Sequence, residues 1–81
     1  MRVTKWTFAP RTETGHHRHE YDYVVVPVTN GVLTIESADG TSTAPLVLGA
    51  SYNRSAGVEH NVANDGDEPV AFVEIELLTG N

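Results

Sequence analysis

Four histidines hold much of the chemistry available to this chain of 81 residues: three in the run TGHHRHEYDYVVV and one in GVEHNVAN. His17 and His19 are separated by one residue, so on a strand both imidazoles leave the same face with Cα atoms about 6.6 Å apart. Two imidazoles so placed can converge on one ion. His60 lies in a second strand-like segment entered through Gly57, and it completes a set of three if the two segments are sheet neighbours. Neutral imidazole suits Zn, Ni, Mn, Fe or Cu, so the ligand type predicts one divalent transition metal without naming it. His16 and Arg18 alternate to the opposite face and are expected at the rim or in solvent.

The elements that must position these residues read as strands. Turn signals recur at short intervals at Pro10, Gly15, Asn30-Gly31, Asp39-Gly40, Gly49, Gly57 and the run from Asn64 to Pro69. No segment between them carries a helical period. The segments are rich in Val, Thr, Ile, Phe and Tyr, which suit a pleated, half-buried surface. Strands are predicted near Val3–Phe8, His16–His19, Tyr21–Val28, Val32–Ser37, Ala44–Leu48, Ser51–Arg54, Glu59–Asn64 and Val70–Leu78. This pattern predicts an all-β sandwich or barrel. In the last strand Ala71, Val73, Ile75 and Leu77 share one face, which its composition makes the expected core face. Glu74 becomes a candidate acid or base only if the Val70, Phe72, Glu74 set faces inward instead.

Composition bounds the function. The chain reads as one domain, residues 1–81, and a domain of this size buries only about 60% of the surface its unfolded chain exposes. It has no cysteine, so a metal or an oligomer interface is the remaining stabiliser for a small scaffold. The formal charge of −6 opposes the counterion release that drives proteins onto nucleic acid. No apolar run reaches the roughly 18 residues of a membrane span, and the first ten residues lack a signal peptide's apolar region. A soluble, cytoplasmic protein with neither nucleic-acid nor membrane partners is expected.

The run GHHRHEYDY (Gly15–Tyr23), followed by Asn30-Gly31, resembles the first motif of the cupin superfamily, an HxH pair followed by a carboxylate and a glycine turn. GASYNRSAGVEHNVAN (Gly49–Asn64) is similar to the second cupin motif. Its Gly49, Gly57, His60 and Asn64 fall in register, and Ser55 stands where the family usually has proline. The resemblance implies a small cupin-type β-barrel, a double-stranded β-helix or jelly roll, with His17, His19 and His60 as metal ligands. The family's carboxylate does not carry over: counting from His19, its position holds Tyr23, with Asp22 beside it and Glu20 closer. The stretch VVVPVTNG is also one residue longer than usual before its glycine, so Asp22 becomes the ligand only if the strand bulges.

Three imidazoles without a carboxylate leave an ion open positions, which favours a bound water, O₂ or a substrate oxygen over a purely structural role. One function that follows is a metal-dependent oxygenase, isomerase or lyase with a small-molecule pocket in the barrel, Tyr23 or Asp22 assisting proton transfer. The alternatives are a non-enzymatic ligand-binding or sensor module, a structural metal site, or a barrel serving as scaffold for interactions. Tyr23 shares the parity of His17 and His19 and is expected to face the cavity. Arg54 is a candidate partner for an anionic substrate. Trp6, Tyr21, Tyr52 and Phe72 read as core, Glu59 as surface, and Asn64 as a turn residue. A short barrel leaves edge strands and cupins commonly form dimers, so a homodimer is expected, with Val3, Trp6 and Phe8 at its interface.

Overall fold

The computed structural model describes residues 1–78, and nine strands make up most of them. In chain order these are β1 (Arg2–Phe8), β2 (Thr12–Glu13), β3 (His17–Arg18), β4 (Asp22–Pro27), β5 (Gly31–Ser37), β6 (Gly40–Leu46), β7 (Tyr52–Arg54), β8 (Glu59–Asn64) and β9 (Val70–Leu77). All pairings are antiparallel. One sheet runs β1-β9-β4-β7; the other runs β2-β8-β5-β6, with β3 also paired to β8. Because the chain keeps crossing between sheets, the two form the expected all-β jelly-roll barrel. Among the described residues no helix is long and apolar enough to cross a membrane.

The strand boundaries depart from expectation where a strand is short or polar. β2 has only two residues, both exposed, and has no apolar pattern to announce it. β6 starts at Gly40 and not at Ala44, because its first half, GTST, is exposed and paired only to β5. Gly40, at φ 116°, opens β6 directly after the two-residue turn, an angle that favours glycine.

The facing of β9 is the reverse of the expected one. Val70 and Phe72 join Phe8, Tyr23, Val25, Leu33, Leu46 and Val62 in the core, and Glu74 points inward with them at 8% exposure. Val73 and Ile75 are half-buried and Leu77 is exposed on the outer face, where Ile75 pairs with Val3 and Val24, and Val73 with Val26. The physical reason is that both faces of this strand are apolar. The outside of the sheet carries a valine and isoleucine patch, and the inside spends one position on a carboxylate. β1 follows the same register: Trp6 and Phe8 lie opposite Phe72 and Val70 and share their inward face. Val3 remains on the outside, 61% exposed, whereas Phe8 is buried and Trp6 is 38% exposed.

Two residues fix how the sheets meet. Asn64, 1% exposed, donates to the carbonyls of Phe8, Ala9 and Glu68, and its Oδ1 accepts from Gly66 N–H at 3.0 Å. It closes the turn after β8 and ties it to the end of β1. Gly31, at the start of β5, lies against Val70, whose Cγ1 would sit 2.5 Å from any added Cβ.

Candidate metal centre

β3 and β8 bring the histidines together. His17 and His60 are direct partners in the ladder, so their Cβ atoms leave the same face side by side. Pairing persists past the end of β3: His19 N–H donates to Val58 O at 2.9 Å, and Gly57 N–H donates to His19 O at 2.8 Å. His19 thereby keeps the inward parity of His17. The Nε2 atoms of His17 and His19 are 3.1 Å apart, and those of His19 and His60 3.2 Å. Among the described residues the candidate ligand group consists of these three imidazoles, with ligating atoms all within 4.8 Å of one another.

The local hydrogen bonds aim a lone pair at the centre. His17 Nδ1 lies 2.9 Å from Gly15 O, and a carbonyl can only accept. The proton is therefore on Nδ1, and Nε2 offers its lone pair inward. Gly15, at φ 88°, turns its carbonyl toward the ring, while its own N–H is held by Asn61 Oδ1 at 2.9 Å. Burial lowers the pKa of His19, and the neighbouring His17 lowers it further. Burial, then His17 and His19, push His60 down to about 4. Both are neutral at pH 7, the state a ligand needs. The His17–His19 and His19–His60 separations of 3.1 and 3.2 Å are close to the spacing of about 3.3 Å set by Zn–N bonds near 2.0–2.1 Å at a tetrahedral angle. The donor set fits a divalent transition ion.

The triad forms part of the wall of a cavity of about 280 Å³. Tyr23 lines it, 3% exposed, with its ring stacked on His19 at a centroid distance of 4.0 Å. Burial, reinforced by Glu74, raises the Tyr23 phenol to about 12, so it keeps its proton at neutral pH. Asp22 points elsewhere. β4 pairs with β9 without a bulge, from Asp22↔Leu77 to Pro27↔Phe72, and the exposed Asp22 carboxylate accepts Ala56 N–H at 2.7 Å. The extra residue before Gly31 is taken up after β4, so Asp22 does not join the ligands. Arg54 lines the mouth with its guanidinium 4.5 Å from the Tyr52 ring centroid. His16 is outside, its Nε2 3.1 Å from Glu59 Oε1 in an exposed hydrogen bond.

Three aromatic residues expected as core, Trp6, Tyr52 and Phe72, line the cavity as well, and so does Glu74. Tyr52 had the available signal: it precedes Arg54 by two positions and shares its face. Glu74 was hidden by the two-sided apolarity of β9.

The sequence model of the cupin domain family matches residues 4–76. The chain belongs to the cupin family. This cupin is 57% identical over 75 residues to the β-alanine degradation protein BauB of Pseudomonas aeruginosa, an alignment covering 93% of this chain and 79% of that one. A crystal structure of a cupin domain from Bordetella pertussis Tohama I is 55% identical and superimposes with a TM-score of 0.89, covering 91% of this cupin and 77% of that chain. The Drosophila melanogaster CENP-C cupin domain superimposes at 0.71 with 12% identity, over 93% of this chain and 59% of its own; that likeness is one of fold alone.

Proposed function

We propose that this cupin binds one divalent transition ion through His17, His19 and His60 and carries out metal-dependent chemistry on a small molecule held in the barrel cavity. The observation that supports it is the convergence of three Nε2 atoms, one with its tautomer set by Gly15, on the wall of that cavity. When bound, the ion supplies Lewis acidity. The remaining work belongs to the chain. Val25, Leu33, Val62 and Phe72 keep water from the inner end, Tyr23 offers a phenol proton beside His19, and Arg54 attracts an anionic group at the mouth. The name of the Pseudomonas relative supports a role in the breakdown of small organic molecules. The chain pairs as a homodimer through the apolar outer face of the β1-β9-β4-β7 sheet.

Metal per chain, measured by mass spectrometry on protein purified without a tag or chelator, tests the reading beside His60→Ala, with circular dichroism to confirm that the variant folds. Near-stoichiometric metal in the parent and its loss in the variant are expected. A parent that is empty and takes up no added Zn, Ni, Mn or Fe overturns the proposal.

A further inference from the structure

Two side chains that line the cavity, the Glu74 carboxyl and the Arg54 guanidinium, have no ion-pair partner among the described residues. Glu74 is 8% exposed, and Arg2, two residues along β1 from the position opposite it, is already committed: it holds Glu76 through two nitrogens, at 2.7 and 3.0 Å. Among the described residues no Lys, Arg or His forms an ion pair with Glu74. A carboxylate has about four acceptor positions, so most of its capacity is open to the cavity. Arg54 is the converse. Its guanidinium rests over Tyr52 and donates only to its neighbour's carbonyl, Asn53 O, at 2.9 Å, and no carboxylate pairs with it among the described residues.

The ladder fixes how the two are spaced. Glu74 lies opposite Val25 on β4, and Arg54 opposite Tyr23 on the other side of the same strand. They are two strands apart across the sheet and two residues apart along it, which puts their Cα atoms about 12 Å apart. Both side chains line the cavity, so a short gap separates an anion from a cation. Tyr52 lies on the strand of Arg54, opposite Val25 in the same row as Glu74. A cavity of about 280 Å³ lies at the lower end of the roughly 300–1,000 Å³ typical of small-molecule pockets, so a small ligand suits it.

We infer that the cavity selects a short-chain amino acid, its ammonium group taken by Glu74 and its carboxylate by Arg54 beside the histidines. The inference rests on the reading of the cavity as a small-molecule site and adds the ligand's class. Each pole explains the other: a molecule with only one charge leaves either a buried carboxylate or a guanidinium without a partner, whereas an amphoteric one satisfies both.

Binding of glycine, 3-aminopropanoate and 4-aminobutanoate, measured by NMR titration against propanoate and propylamine, tests it on metal-free and on Zn-loaded protein. One amino acid of the series is expected to bind about tenfold or more tighter than either singly charged analogue, the scale of a charge-assisted hydrogen bond. Glu74→Gln should remove that advantage and leave propanoate binding unchanged. Arg54→Gln should remove it and leave propylamine binding unchanged. Glu74→Met, which keeps the volume, serves if the glutamine variant does not fold. Amino acids that bind no tighter than propanoate, or a Glu74→Gln variant that retains the preference, overturn the inference. Metal content, measured separately, decides the metal proposal: loss of preference with full metal sinks only the ligand class, and selective binding to protein that takes up no metal sinks only the metal reading.

Discussion

Replacing Gly15 by alanine separates the backbone's part in the metal centre from the ligands' own. Gly15 sits at φ 88°, and no atom lies within 4 Å of where a Cβ would be, so alanine meets no clash and its cost is conformational. An L residue held in the left-handed region loses about 1–2 kcal/mol, which for a domain of 60–100 residues lowers Tm by about 4–8 °C per kcal/mol. If the variant keeps the glycine's angle, the metal-free protein melts early and its metal affinity is unchanged. If the backbone relaxes instead, stability returns, but the carbonyl leaves His17 Nδ1, now 2.9 Å away. Affinity then falls about 10–100-fold, the usual cost of losing the partner of a ligating imidazole. Thermal melting without metal, paired with competition against a chromophoric chelator, reads both quantities. Gly15→Asn, which tolerates this angle better, should lie close to the parent. A Gly15→Ala protein that matches the parent in both assays refutes the reasoning that this carbonyl sets the ring.

Acid should destabilise the metal-free protein. His60 is held near 4 and His19 is also lowered from the ordinary 6.5, so in that window the unfolded chain binds more protons than the folded one. Stability is therefore full above about pH 6.5 and is lost as pH falls toward 4; urea midpoints in chelator at several pH values measure this, and His60→Gln should flatten the dependence. Gly31→Ala forces a Cβ to within 2.5 Å of Val70 Cγ1 and should cost about 1–3 kcal/mol in chemical denaturation. Val70→Ala in the same chain should recover part of that loss, and additive effects would exclude the clash as the cause. Val26→Lys on the outer face should convert a dimer to a monomer in size-exclusion light scattering, with the metal retained; a parent that is already monomeric at micromolar concentration removes the dimer.

The sequence made the barrel legible because most strands carry β-branched and aromatic residues between glycine, asparagine and aspartate turns. Local signals and the final fold agree at most positions. The histidine triad was legible because an alternating pair on one strand leaves a single face, and because Gly57 delivers His60 to the neighbouring strand. What remained hidden was orientation where both faces of a strand are apolar. β9 offers Val70 and Phe72 on one side and Val73 and Ile75 on the other, and only pairing with β1 and β4 decides between them. The expectation that a glutamate marks the solvent side fails at Glu74 because the interior there is a cavity and not packed core. Asp22 was ambiguous for a different reason: whether a strand bulges depends on its neighbours' register, which no local pattern records.

The strand order also dictates when the barrel can form. β9 lies between β1 and β4 and pairs with both, from Arg2↔Glu76 to Phe8↔Val70 on one side and from Asp22↔Leu77 to Pro27↔Phe72 on the other. Until the ribosome has delivered β9, β4 has the short β7 as its partner in their sheet and β1, among the described residues, has none. The hairpin of β5 and β6 can close early, since its turn is local. The sheet that carries Tyr23, Glu74 and Arg54 must wait for pairings distant in sequence, which slows folding toward the millisecond-to-second range of non-local β topologies. A nascent or truncated chain stalled before Val70 would display two unpaired apolar edges at once, the condition under which β proteins join one another instead of themselves.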